Sequence, residues 1–136
     1  MTYFKRILFT FLLLPIVAMS QQIQEDPNLI SGKLSNGLHY YLYPTKRVKG
    51  QAEFQMFLKA GSLQESDEQR GLAHFMEHMA FNGSTHFPGN TLIDFLERHG
   101  AKFGHDLNAH TSYGETIYKL KIPTKTKSVI DSTLVI

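Results

Sequence analysis

The sequence predicts an α+β fold in which helices cover an antiparallel-rich sheet. Ala52, Phe54, Met56 and Leu58 recur at every second position, with Glu53, Gln55 and Phe57 between them, which is typical of a strand with one apolar face. Ser66 and Gln69 form a capping-box signature at the start of a helical pattern. Two strand-like segments, 103–112 and 116–122, flank a Tyr-Gly turn and indicate a hairpin. The 136 residues are enough for one domain at most.

The composition excludes several classes of protein. Lys and Arg number 14 and Asp and Glu number 12, so no basic surplus indicates nucleic-acid binding. Hydrophobic residues make up 42% and charged residues 19%, which is typical of a globular chain. The absence of Cys excludes disulfides, thiolate metal sites and Cys nucleophiles. A metal site must therefore use carboxylates and the seven His residues.

Residues 1–20 have the pattern of a signal peptide. The pair Lys5-Arg6 precedes an apolar run of 13 residues, 7–19, which is shorter than the roughly 20 residues that span a bilayer. The segment ends in Ala18-Met19-Ser20, a small-x-small cleavage pattern. We expect cleavage after Ser20, no stable membrane span, and a periplasmic or secreted protein. The lack of Cys suits a bacterial envelope, and an uncleaved anchor is the alternative.

The first part of the mature chain contains a lead-in and two predicted strands. Residues 21–30 are polar without periodicity and predict a flexible lead-in, so the domain is expected to occupy 31–136. A Ser-Asn-Gly turn precedes a predicted strand at 38–43. This strand and the one at 52–58 are close in sequence, and we expect them to be antiparallel neighbours.

Three helices are predicted. The first begins at Ser66 and is expected to reach Phe81, and the second runs from Thr91 to a stop at Gly100. The third follows Pro123, with apolar residues at helical spacing, and its pattern continues to Ile136 without a stop signal. We therefore expect the domain to be incomplete at its C-terminus.

The first helix carries the sequence His-x-x-Glu-His. With about 100° of rotation per residue, His74, Glu77, His78 and Phe81 share one side of the helix. The i, i+4 spacing places both imidazoles one turn apart, so that two ring nitrogens can meet one ion at about 2.0–2.1 Å. Glu77 can reach a metal-bound water without being a ligand. The opposite side of the helix holds Leu72, Phe75, Met76 and Met79.

An alternative interpretation is an amphipathic helix whose solvent face carries two His and one Glu. Phe81 on the same face speaks against it, because an aromatic ring there suggests a lined cleft. Seven His and seven Glu in 136 residues predict a chance His-x-x-Glu-His about 0.02 times. The spacing therefore favours a metal site.

Residues 71–85 resemble the inverted zinc motif of the pitrilysin/insulinase-type metallopeptidases. The resemblance continues through Asn36-Gly37-Leu38, Ala60-Gly61-Ser62, Asn108-Ala109 and the segment 115–118, and it covers nearly all of 31–136. It implies the fold of the pitrilysin and mitochondrial processing peptidase metallohydrolases. Gly114 departs from the family pattern, which often has an acidic residue there.

The resemblance implies a role for each motif residue. His74 and His78 would bind one Zn²⁺, and Glu77 would be the general base that activates the zinc-bound water. Asn108 and Ala109 would lie on an edge strand that pairs with a peptide by β-addition, with the Asn108 amide holding the substrate backbone. From the residues alone, a turn or bulge position remains the alternative for Asn108.

The resemblance also implies parts that lie outside this sequence. The third zinc ligand is expected to be a Glu roughly 70–80 residues after the second His, beyond Ile136, so neither Glu97 nor Glu115 is expected to bind zinc. A second homologous domain or subunit would close over the first to form a chamber.

Two classes of function are open. The first is a zinc endopeptidase or oligopeptidase of which this chain is the N-terminal part. The second is a non-catalytic homologous subunit or peptide-binding fragment. Inactive homologues generally lose His-x-x-Glu-His, and its presence favours the enzyme.

Overall fold

The computed structural model describes residues 24–125 and 127–136, so the predicted signal peptide lies outside the described residues. The chain divides into two compact units at residues 46 and 47. In the first unit, β1 (Ile30–Lys33) and β2 (His39–Leu42) form an antiparallel hairpin. Its turn contains Gly37 at φ 92°, a left-handed conformation that favours glycine.

The predicted strand at 38–43 is confirmed as β2, but its predicted partner is wrong. β2 pairs with β1, which begins at Ile30, the last residue of the predicted lead-in. The Asn36 side chain accepts the Leu38 N–H at 3.0 Å and helps to close the turn. A tight turn brings β1 and β2 together at a low entropic cost.

The second unit contains a three-stranded antiparallel sheet in the order β3-β5-β4. Its strands are β3 (Gln51–Leu58), β4 (Leu107–Thr111) and β5 (Thr116–Pro123). The predicted hairpin is confirmed, with Thr111 opposite Thr116. Within the described residues, β4 is an edge strand of this sheet.

β4 is shorter than the predicted strand 103–112 because a turn precedes it. The Lys102 carbonyl accepts the backbone N–H groups of Asp106 at 2.7 Å and Leu107 at 3.3 Å. The Asp106 carboxylate accepts the Lys102 N–H at 2.9 Å, which closes the turn from the other side. These bonds hold 102–106 in a turn, so the strand begins only at Leu107.

The helix predicted from Ser66 to Phe81 is two separate elements. A 3₁₀ turn covers Asp67–Gln69, and α1 covers Leu72–Met79. The predicted capping box exists, with the Gln69 side chain accepting the Ser66 N–H at 3.4 Å, but it caps only the short turn. Gly71 adopts φ 85°, and this left-handed residue interrupts the helix.

The other two predicted helices are confirmed as α2 (Thr91–Arg98) and α3 (Lys127–Thr133). Apolar residues of both helices pack against the sheet in one buried cluster. The cluster consists of Leu92, Leu96, Ala101, Leu107, Leu120, Ile122 and Val129. Among the described residues, no helix has the length and apolar character needed to cross a bilayer.

Gly61, directly after β3, lies against the turn of the β4–β5 hairpin. A Cβ atom at this position would lie 2.2 Å from the Ser112 carbonyl oxygen and 2.7 Å from that of Tyr113. The same carbonyls accept the N–H groups of Ser62 at 3.3 Å and Leu63 at 2.8 Å. Only glycine allows this close approach of two backbone segments.

We expect Gly61→Ala to destabilise the full-length protein by about 1–3 kcal/mol, because the new methyl group must displace the hairpin turn. Thermal unfolding followed by circular dichroism measures the effect. Gly114→Ala is the matched control in the same turn, since a Cβ there meets nothing within 4 Å and Gly114 has no positive φ. Equal melting temperatures for the two variants would contradict the prediction.

Candidate active site

The Glu77 side of α1 lies against β4 and β5, while His74 and His78 remain exposed. Glu77 is only 6% exposed, and the Phe81 ring, just after the helix, lies 5.7 Å from the Phe103 ring and 6.2 Å from the Tyr118 ring. Glu77 is therefore not a solvent-facing residue, whereas both motif histidines are exposed, as the alternative expects. The opposite side is exposed to 41–57% at Leu72, Phe75, Met76 and Met79.

The two motif histidines converge at the surface of this helix. Their Nε2 atoms lie 3.0 Å apart and their ring centroids 4.7 Å apart, and both residues are exposed. A tetrahedral ion with nitrogen ligands at 2.0–2.1 Å would hold two such nitrogens about 3.3 Å apart. The pair therefore fits two positions of a zinc site. Within the described residues, no group of three His, Cys, Asp or Glu side chains could hold a metal ion.

Glu77 is held by the hairpin. The Thr111 hydroxyl donates to Glu77 Oε2 at 2.5 Å, and Thr111 Oγ1 lies 3.3 Å from Thr116 Oγ1. The Thr116 hydroxyl in turn donates to the Ala60 carbonyl at 2.8 Å. Burial, and then the nearby Glu77 charge, raise the pKa of Tyr118. The arrangement gives a buried carboxylate that a fixed hydroxyl group orients.

Asn108 and Ala109 lie on the edge strand β4. Lys121 N–H donates to the Asp106 carbonyl at 2.7 Å, and Ser112 N–H donates to the Glu115 carbonyl at 2.8 Å. These two bonds identify the residues of β4 whose backbone groups face β5. Because inward and outward groups alternate, the N–H and C=O of Ala109 point away from β5. Asn108 stands opposite Lys119 in a regular ladder, so it is not a bulge or turn residue. Its Oδ1 accepts the Ala109 N–H at 2.9 Å.

The carboxylate of Glu65 caps the start of α1. Its Oε2 accepts the Gly71 N–H at 2.8 Å and its Oε1 the Ala73 N–H at 2.7 Å. Hydrogen bonds from the Ala73 and Gly71 backbone lower the pKa of Glu65. Sequence reasoning missed this cap because Glu65 precedes the broken helix and matches no capping spacing.

Sequence reasoning assigned no role to Thr111. The available signal was the period of β4, since Leu107, Ala109 and Thr111 share one face of the strand. Leu107 is in the core, so Thr111 on the same face must also point toward the helices.

Other candidate side chains make local contacts. His99 Nδ1 lies 2.7 Å from the Phe95 carbonyl, and His105 Nδ1 lies 2.7 Å from Asp106 Oδ1. His105 therefore pairs with its neighbour in sequence.

Comparison with known proteins identifies the family of this chain. The family profile described as Insulinase (Peptidase family M16) matches residues 40–134. The chain belongs to the insulinase family, M16. A probable zinc protease, PqqL, of Escherichia coli is 43% identical over 125 residues, which are 92% of this chain and 13% of that protein. A zinc protease PQQL-like protein of Arabidopsis thaliana is 37% identical over 76% of this chain and 11% of its own length.

Solved structures of this peptidase family share the fold. The first half of the periplasmic protease PqqL of Escherichia coli gives a TM-score of 0.79 at 43% identity, covering 84% of this chain and 24% of that structure. An insulinase family protease from Yersinia pestis gives 0.71 at 28% identity, covering 87% of this chain and 26% of that structure. The α+β fold of the M16 proteases is thereby confirmed. The chain spans 13% and 11% of the length of the curated Escherichia coli and Arabidopsis thaliana relatives.

Proposed function

We propose that the protein containing this chain is a zinc-dependent endopeptidase or oligopeptidase. The observation that supports this function best is the pair of Nε2 atoms 3.0 Å apart on the helix that also buries Glu77. Membership of the insulinase family and relatives named as zinc proteases support the same chemistry.

His74 and His78 would hold one zinc ion per site. We propose that the third protein ligand is a Glu supplied from beyond Ile136, because no described side chain joins the pair. Zinc, when bound, polarises a peptide carbonyl and lowers the pKa of a water molecule to about 7.

Glu77 would act as the general base. Thr111 donates to Oε2, which leaves Oε1 to accept the proton of the attacking water. The same carboxyl group would then deliver the proton to the leaving amine. Because Thr111 is fixed on β4, the carboxylate keeps one orientation through both transfers.

Asn108 and Ala109 would hold the substrate backbone. An extended peptide adding to the edge of β4 would pair with the outward N–H and C=O of Ala109. The Asn108 amide now covers this N–H at 2.9 Å, so it must turn aside when the peptide carbonyl arrives. The freed amide could then bond to the substrate backbone.

Two further parts of the proposal concern the whole protein. A second homologous domain or subunit would close over this one, as the description of a solved relative as the first half of a protease suggests. Export through residues 1–20 with cleavage after Ser20 would place the protein in the periplasm or outside the cell. The PqqL relative of known structure is a periplasmic protease.

The test is a zinc titration of the full-length protein. We expect chelator-treated protein to hydrolyse an unstructured fluorogenic peptide only after zinc is added. The rate should rise in proportion to bound zinc and stop rising at one ion per catalytic site. Full activity in metal-free protein, or no hydrolysis by the zinc-loaded protein, would contradict the proposed function.

A further inference from the structure

Glu65 connects two parts of the second unit that the left-handed Gly71 would otherwise leave loosely joined. One carboxylate oxygen accepts the Gly71 N–H and the other accepts the Ala73 N–H, at 2.8 and 2.7 Å. The first N–H groups of a helix have no partner within the helix, so an external acceptor is needed there. Glu65 supplies this acceptor on both sides of Leu72, the first residue of α1.

The helix that receives this cap lies against β4 and β5 on its Glu77 side only. α1 has eight residues, and its apolar face is exposed rather than packed on the sheet. A helix this short is marginal in isolation. Its described polar anchors to the rest of the chain are Glu65 at the first turn and the bond from Thr111 to Glu77 near the other end.

The segment that carries Glu65 is itself fixed to the β4–β5 hairpin. Ser62 and Leu63 donate to the carbonyls of Ser112 and Tyr113, and the Gln64 side chain accepts the Gly61 N–H at 2.8 Å. The hairpin that positions Glu77 through Thr111 therefore also positions Glu65. Both anchors of α1 are therefore held by the β4–β5 hairpin, one directly through Thr111 and one through the segment bonded to the hairpin turn.

His74 lies in the first turn of α1, directly after the capped Ala73. If this turn frays, the His74 ring leaves the position in which its Nε2 faces that of His78. His78 lies in the last turn, one residue from the anchored Glu77, and depends less on the cap. Loss of the cap would thus separate the two ring nitrogens.

We propose that Glu65 is a positioning residue for the metal site, holding the first turn of α1 so that His74 and His78 share one ion. The inference rests on the proposed function, since it assumes that these two histidines bind zinc. Glu65 contacts neither the ion nor the substrate, and it acts through the backbone of Gly71 and Ala73.

The test measures zinc affinity of the full-length protein by competition with a chromophoric chelator, using the metal alone. In Glu65→Gln, one oxygen remains and the new amide group points its hydrogens at a backbone N–H. We expect zinc to bind about tenfold more weakly, in the range found when partners of metal ligands are lost. Glu65→Asp keeps the charge but is one methylene shorter, and we expect an intermediate affinity.

Glu68→Gln is the matched control. Glu68 lies in the adjacent 3₁₀ turn, is exposed, and makes no hydrogen bond or ion pair within the part of the chain that the structure describes. This variant should bind zinc as the wild type does. Circular dichroism of each metal-free variant reports whether the domain is still folded.

Three results would overturn the role of Glu65 while leaving the proposed function intact. The first is equal zinc affinity in Glu65→Gln and Glu68→Gln. The second is a zinc affinity of Glu65→Asp that is no better than that of Glu65→Gln. The third is loss of the whole fold in both Glu65 variants. The last result would mean that Glu65 holds the domain rather than the metal site. A folded wild-type protein that binds no zinc would instead contradict the proposed function.

Discussion

Glu77→Gln is expected to lower kcat/KM for peptide hydrolysis about 10²–10⁴-fold while zinc stays bound. The amide retains the shape of the side chain and can still accept the Thr111 hydroxyl bond, but it cannot take a proton at neutral pH. The ligand pair His74 and His78 is unchanged. Steady-state kinetics and metal analysis of the same zinc-loaded preparation measure both quantities.

Glu97→Gln is the control for this prediction. Glu97 is an exposed residue of α2, and it is not expected to bind zinc. Its variant should therefore retain wild-type turnover and zinc content. Near-wild-type turnover in Glu77→Gln would remove Glu77 from the mechanism, and loss of zinc in Glu97→Gln would make Glu97 a ligand.

His78→Ala is expected to weaken zinc binding by about 10²-fold or more, since each ligand carries a large share of the affinity of a site with three protein ligands. The variant removes one of the two nitrogens that lie 3.0 Å apart and leaves His74 alone on the helix. Chelator competition with the full-length protein measures the change. Activity at limiting zinc should fall with it.

The control for the histidine variant is His86→Ala. His86 is exposed in the loop after α1, outside the motif. We expect the His86→Ala variant to bind zinc with the same affinity as the wild-type protein. If the two variants had equal zinc affinity, the ion would not be held by the motif.

Features encoded by local periodicity could be predicted from the sequence. The alternation in β3 and the helical pattern that begins at Thr91 predicted elements that the structure contains. The hairpin between β4 and β5 followed from its turn residues. The two motif histidines converge as their i, i+4 spacing requires.

Features that depend on tertiary contacts could not be predicted in this way. Hydropathy alone would turn the apolar side of α1 inward, whereas in the structure Glu77 is buried and accepts a hydrogen bond from Thr111. The pairing of β2 with β1 depends on the cost of closing competing loops. Glu65 reaches the helix across the left-handed Gly71, which no helix-capping pattern spans.

The hydrogen bonds around Glu77 also determine when the site can form as the chain folds. The bond from Thr111 to Glu77 joins residues 34 apart in sequence, and that from Thr116 to Ala60 joins residues 56 apart. An eight-residue helix nucleates poorly on its own, so the ligand pair gains its geometry only after the distant strands have paired. Zinc would then bind the completed fold, and it should slow unfolding more than it speeds folding.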